Sequence, residues 1–287
     1  MNASGRIARS VPSWAPAALT GAAVLALVAW SLAPVVWQAL TALKPDAQIT
    51  AMPLVYLPRP PTWEHVARLW QRKPFGIYLL NSAWVSGWAT LLCVAFAAPA
   101  AARIARQTAG GREVLLLGLL LISLFPPILL LFPLYEGVRA FGWVNHPLAL
   151  ILPYAALNLP LALWVLESAF RQLPAALDEA GRVDGLSALQ RVAMIHVPVA
   201  LPAVATTALL VFIFCWNEFM LAVTFMTRDQ GKTVTAGIAS VSGASVYEIP
   251  WGQLSAAVLI ATLPLLLLVV LFQRRLVAGL TRGAVKG

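Results

Sequence analysis

Six long runs with almost no charge pass through this 287-residue chain, and they leave it few folds to choose from. A helix rises about 1.5 Å per residue and a bilayer's hydrocarbon layer is about 30 Å thick, so about 20 apolar residues make a span. We place the spans at about 17–40, 77–102, 114–135, 147–169, 199–226 and 253–272, with Glu218 as the one acid inside them. Only 11% of the residues are charged and the mean hydropathy is +0.81, whereas about a quarter of a soluble domain is charged. Barrel strands are excluded because the runs lack the alternating polar residues that face a lumen. The expected fold is an all-α membrane protein of six transmembrane helices.

The net charge of +9 does not point to nucleic acid, because the basic residues stand singly between apolar runs rather than along one stripe. Membrane topology explains them. An even number of spans puts both termini on one side, and that side is cytoplasmic if it carries the excess of Lys and Arg. Twelve basic residues then fall inside, among them Arg103, Arg106, Arg112, Arg171, Arg182 and Arg191, against eight outside. Arg6 and Arg9 before the first run imitate a signal peptide, but the run continues uncharged to Lys44, so it is taken as a retained span. Cys93 and Cys215 lie within runs and read as packing residues. His65, His146 and His196 are isolated from one another, so no metal site is expected.

The first outer loop is rich in proline (Pro53, Pro58, Pro60, Pro61), after which Thr62 can cap a short helix with Trp63, Val66, Leu69 and Trp70 on one face, lying on the outer interface. Prolines at 99, 126, 127, 133, 153, 160 and 264 are expected to bend the spans that contain them. Counting from Pro198 puts Glu218 near the outer boundary. That depth suits an interfacial structural acid bonded to Trp216 or Asn217, with a gate or a substrate contact as the other reading of Trp216, Asn217 and Glu218.

The segment 171–198 is built as more than a connector. Pro174 suits a first helical turn, Asp178 and Arg182 stand four apart and can pair, and Asp184-Gly185 ends the helix. Ser187 and Gln190 form a capping box that opens a second helix running through Pro198 into the fifth span. Ala175, Ala176, Ala180 and Gly181 are small enough for another surface to approach the backbone.

Glu179-Ala180-Gly181, three residues, Gly185, nine residues, Ile195, one residue, Val197 and Pro198 resemble the EAA loop of binding-protein-dependent ABC importer permeases. Gly181 stands where that pattern has alanine, and Val197 where it has leucine. Leu80-Asn81-Ser82, Trp216-Asn217-Glu218, Phe272-Gln273-Arg274-Arg275 and the ending Gly283-Ala284-Val285-Lys286-Gly287 are similar to the shorter, six-span subunit of the maltose- and trehalose-type branch. The resemblance implies a type I importer (MetI-like) fold, with a cytoplasmic tail at 1–16, a transmembrane domain at 17–276, a permease core at about 73–272, a coupling loop at 171–198 and a cytoplasmic tail at 277–287.

It also implies a function: half of a translocation pathway for a di- or oligosaccharide in the cell membrane. Asp178, Glu179, Ala180, Gly181, Asp184 and Gly185, with Ile195 and Pro198, would engage a cytoplasmic ATPase dimer, which the tail Gly283 to Gly287 would also reach. Ser242, Gly243, Ser245 and Tyr247 would meet an extracytoplasmic binding protein. The other implied partners are a second permease subunit, the sugar and the bilayer. ATP and magnesium would be held by the ATPase, and no cofactor by this chain, which lacks a phosphate-cradling glycine loop with lysine. A glycerol-3-phosphate or polyol cargo is the alternative within the family. An ion-coupled transporter needs midplane charges and internal repeats, and a membrane enzyme needs clustered catalytic residues; neither set is visible.

Overall fold

The computed structural model describes residues 15–241 and 249–284, which are mostly helical with no strand among them. The chain divides into two compact units, residues 1–66 with 251–259, and residues 67–250 with 260–287.

In the first unit α1 (Ala15–Leu43) ends at Lys44, and the short α2 (Asp46–Ile49) follows. Lys44 is buried with its ammonium 4.4 Å from the centre of the Trp37 ring, and its carbonyl accepts from His65 Nε2 at 2.7 Å. Thr62 Oγ1 accepts from Glu64 N at 3.1 Å, so the expected cap opens α3 (Glu64–Arg72), whose first residues close this unit. His65 and Leu69 are the buried positions of α3, whereas Trp63 and Trp70 are exposed. Gly252, in the first turn of α14 (Trp251–Ala284), lies so close to the His65 ring that an added Cβ would overlap it.

The second unit is organised on α4 (Phe75–Ala105), which packs along α7 (Leu148–Arg171) and α11 (Leu201–Asn217). The buried face of α4 is largely small, with Ala89, Cys93, Ala97, Ala98, Ala101 and Ala102. Small side chains let backbones approach where lipid supplies no hydrophobic drive between helices.

Two of the expected spans are interrupted. The third is α5 (Ala109–Ser123), a 3-10 turn at Pro127–Leu130 and α6 (Leu131–Ala140), bent by 79°. The adjacent Pro126 and Pro127 have no N–H to donate, which explains the break there. By contrast Pro99, Pro153, Pro160 and Pro264 sit inside continuous helices. The fifth span begins with a 92° turn at Ala200 rather than running on from Pro198. It then stops at Glu218, whose extended backbone separates α11 from α12 (Met220–Phe225). Among the described residues four helices are long and apolar enough to cross a membrane unaided, and the number is six if each bent pair is one crossing.

At one end of α4 lie α8 (Ala175–Val183), α9 (Ala188–Arg191), a π turn (Val192–His196) and α10 (Val197–Val199). At its other end lie a 3-10 turn (Asp229–Gly231) and α13 (Val234–Ala239).

Candidate functional site

The segment after α7 folds into the helix, glycine turn and second helix that its residues dictate. Gly185 takes the left-handed conformation at φ +77°, and Leu186 N donates back to Gly181 O at 2.9 Å, closing α8 in the manner of a Schellman cap. Ser187 and Gln190 make both bonds of the capping box, 3.3 and 2.8 Å long. The helix that follows passes through the π turn to Val199. Pro198 and Pro202 cannot donate to the carbonyls four residues before them, so the ladder opens on both sides of Ala200, where the chain turns.

Asp178 is buried and points into the chain, which corrects its place in the expected docking set. Its carboxylate lies 2.7 Å from Arg106 Nε, 3.5 Å from Arg191 Nε and 3.1 Å from His196 Nε2, so it pairs with these rather than with Arg182, which is exposed. Burial pushes the Asp178 carboxyl up, but the charge of His196 and the hydrogen bond and charge of Arg106 outweigh it and hold the group below the ordinary carboxylate range. Arg106 also reaches Leu173 O, Arg191 Nη1 donates to Leu186 O at 2.8 Å, and the His196 ring stacks on Phe170. One carboxylate thus ties α8 to the end of α4 and to the helix leading into α11.

Glu179, Ala180, Asp184 and Gly185 are exposed, with Val183 and Leu189 alongside them at 88% and 68% exposure. Gly181 is buried and faces Ile195, so its smallness serves the chain's own packing and not an outside surface. A Cβ there would stand 2.7 Å from Ile195 Cδ1, the end of a flexible side chain, and 3.1 Å from Arg191 Cδ, the stem of a side chain whose guanidinium is held by Asp178 and Leu186 O. Gly181→Ala therefore relieves a helix-propensity penalty of about 1 kcal/mol at the expense of a small rotation of Ile195. We expect thermal unfolding within about 1 kcal/mol of the parent and uptake unchanged within twofold; a large loss of either would show that the contact is rigid.

Glu167 is a second acid within the bounds of a span, so Glu218 is not the only one. It is buried near the end of α7, 3.8 Å from Arg112 Nε and 3.4 Å from Arg171 Nε.

Glu218 bonds to neither Trp216 nor Asn217. It accepts from Tyr154 Oη at 2.6 Å and from the backbone N–H groups of Leu221 and Ala222 at 2.8 and 3.1 Å, while its carbonyl accepts from Thr235 Oγ1. Trp216 is buried with its ring stacked on Phe212, and Asn217 bonds back to Ile213 O. Glu218 and Tyr154 line a cavity of about 270 Å³ with Asn158, Cys215 and Pro127. A larger cavity of about 840 Å³ lies among α5, α7 and α11, and no ionisable side chain lines it.

At the α13 end, Asn81 Nδ2 donates to Gln230 O and Lys232 O, and Ser82 Oγ accepts from Val234 N at 2.8 Å. The Leu80-Asn81-Ser82 motif thus pins the strap that enters α13. Asp229 is held below its usual range by the Lys232 hydrogen bond against the opposing effect of burial, with Lys73 adding to it. The positions 242, 243, 245 and 247, and 285–287 of the tail, lie outside the described residues; Gly283 and Ala284 end α14. No group of three or more His, Cys, Asp or Glu that could hold a metal occurs among the described residues.

Residues 94–282 match the family model described as binding-protein-dependent transport system inner membrane component. The chain is 39% identical to the trehalose/maltose transport system permease protein of Thermococcus litoralis, covering 94% of this chain and 96% of that one. It is 36% identical to the trehalose transport system permease protein of Mycobacterium tuberculosis, covering 91% and 94%. Its fold is similar to a bacterial ABC transporter involved in import of the acidic polysaccharide alginate, with a TM-score of 0.73 at 18% identity over 92% of this chain and 98% of that one.

Proposed function

The chain belongs to the family of inner membrane components of binding-protein-dependent transport systems, and from that premise we propose that it is one half of the membrane pathway of an ATP-driven sugar importer. The observation that carries this reading is the loop at the end of α4, braced from behind by Asp178 and exposed along Glu179, Ala180, Asp184 and Gly185. A lever needs a stiff root and a free edge, and this loop has both.

The exposed edge docks on a cytoplasmic ATPase dimer, so both termini are cytoplasmic and the α13 end faces the solute-binding protein. ATP and magnesium reside in the ATPase, and a second permease subunit completes the pathway. ATP-driven closure of the dimer moves the loop, and Asp178 passes the movement to α4 and toward α11. The tail from Gly283 to Gly287 adds a further contact to the ATPase, and Ser242, Gly243, Ser245 and Tyr247 a contact to the binding protein. The cargo is a di- or oligosaccharide of the trehalose and maltose kind, the class that the two relatives' names carry.

The full complex, reconstituted in proteoliposomes and offered labelled trehalose, maltose and glycerol 3-phosphate, tests the reading. The permease pair alone should hydrolyse no ATP. Addition of the ATPase should give hydrolysis that rises with loaded binding protein, and uptake of one of the two sugars. Uptake without the ATPase, or of glycerol 3-phosphate alone, would overturn it. Glu179→Lys reverses the charge on the free edge, and we expect association with the ATPase, read by pull-down titration, to weaken by about tenfold or more. Unchanged association would remove Glu179 from the interface.

A further inference from the structure

We propose that the cavity beside Glu218 is a subsite for one ring of the transported sugar, with the Glu218 carboxylate, the Tyr154 hydroxyl and the Asn158 carboxamide as its hydrogen-bonding wall; this rests on the import function proposed above. Backbone that leaves helical geometry at membrane depth persists only where protein buries it or where it lines a polar cavity. One crossing is broken within its length at Pro126 and Pro127, and α11 gives way at its end to the extended backbone of Glu218. Both non-helical points deliver a residue, Pro127 and Glu218, to this same cavity.

The wall has the chemistry of a sugar ring. An ionised carboxylate can accept about four hydrogen bonds, and Tyr154, Leu221 and Ala222 supply three. Capacity for one more donor is left on a group that lines the cavity and is only half-buried. Sugar hydroxyls donate to carboxylates and exchange bonds with phenols and amides. Asn158 spends its Nδ2 on Tyr154 O, at 2.8 Å, and on Cys215 Sγ, and its carbonyl oxygen is a second acceptor in a wall it lines. The rest of the lining is apolar and includes Phe214, as suits the C–H face of a pyranose.

The alternatives fit less well. A metal ion would need more ligands than this acid, and no group of three or more His, Cys, Asp or Glu gathers among the described residues. A lipid chain would leave the carboxylate facing hydrocarbon, which is expensive. At about 270 Å³ the space is at the small end of ligand clefts, enough for one ring and not for two.

The test uses the complete reconstituted complex and, as probes, trehalose and maltose with their monodeoxy analogues. Tyr154→Phe removes one hydroxyl, and Asn158→Leu removes the carboxamide at nearly constant volume. The readout is the ratio of uptake kcat/KM between the carried sugar and each analogue, which cancels any change in the amount of assembled transporter. A site that bonds a hydroxyl rejects the analogue lacking it, so each variant should lower the preference for the parent sugar over one analogue by about tenfold or more. If both variants slow every probe by one common factor, or alter none, the Tyr154–Glu218 bond is only a clamp on the helix break and the subsite is refuted. If the parent complex carries neither sugar, the import function fails, and this subsite with it.

Discussion

Asp178→Asn abolishes ATP-driven uptake by the reconstituted complex, although the substituted side chain keeps its shape and lies behind the exposed edge of the loop. The carboxylate faces Arg106, Arg191 and His196 at 2.7, 3.5 and 3.1 Å, and asparagine leaves the two guanidinium groups crowded and unneutralised. Removing one member of a buried ion-paired set costs about 3–5 kcal/mol. The lower end applies here, because the Arg106 side chain is a quarter exposed. Even about 3 kcal/mol is more than a hundredfold in the population of the braced loop. The expected signature is ATP hydrolysis uncoupled from transport: nucleotide binding by the ATPase is unaffected, while uptake falls at least a hundredfold. Uptake within threefold of the parent would show that α8 needs no brace. The sign of the pH dependence follows from the depressed Asp178 carboxyl. A group whose pKa is lower folded than unfolded stabilises above its unfolded value, near 3.9, and loses that contribution as pH falls through the folded one. The ionised Asp178 carboxylate is therefore lost only in acid, as pH falls through its lowered folded value.

The spans were legible because hydropathy over about 20 residues depends on composition alone, and composition is local. Their interruptions were not. A bend was expected at every proline alike, yet the adjacent pair Pro126 and Pro127 marks a 79° bend while the single Pro153 and Pro160 sit in one continuous helix. Whether a proline breaks a span depends on whether neighbouring helices satisfy the freed carbonyls, and that is a property of packing. The 171–198 loop was legible through its caps and spacing, since Ser187, Gln190 and Gly185 act on their immediate neighbours. Its inward partners were not. Arg106 lies 72 residues from Asp178, and a lone His196 carries no periodic signal. The nearer residue, Arg182, was the natural but wrong partner. Tyr154 is another such case: a single aromatic in an apolar run, made significant by Glu218, 64 residues away. Glu167 differs from these. Its letter was in plain view within the bounds of the fourth span, and its burial between Arg112 and Arg171 is what gives it weight.

Gly237→Ala should lower the stability of the complex by about 3 kcal/mol or more, beyond the usual 1–3 kcal/mol for one added methyl group in a packed core. An added Cβ would overlap the Tyr78 ring at Cγ and Cδ2, the root of the side chain and not its flexible end. Tyr78 cannot turn aside, because it is fully buried with Phe75 set edge-on against it at 6.0 Å. Nor can α13 slide away, because Asn81 holds the Gln230 and Lys232 carbonyls and Ser82 holds Val234 N, fixing the helix at its entrance. The strain must then be taken up by the interface of α4 and α13 itself. Gly87→Ala is the control: it lies in the same α4, nothing stands within 4 Å of its added Cβ, and helix propensity favours alanine by about 1 kcal/mol. Thermal unfolding in detergent should separate the two variants by a wide margin. A double-mutant cycle with Tyr78→Leu locates the cause, since the penalty at Gly237 should fall by about 1 kcal/mol or more once the ring is gone. A penalty that survives the loss of the ring would mean that Gly237 is required for its backbone and not for the room it leaves.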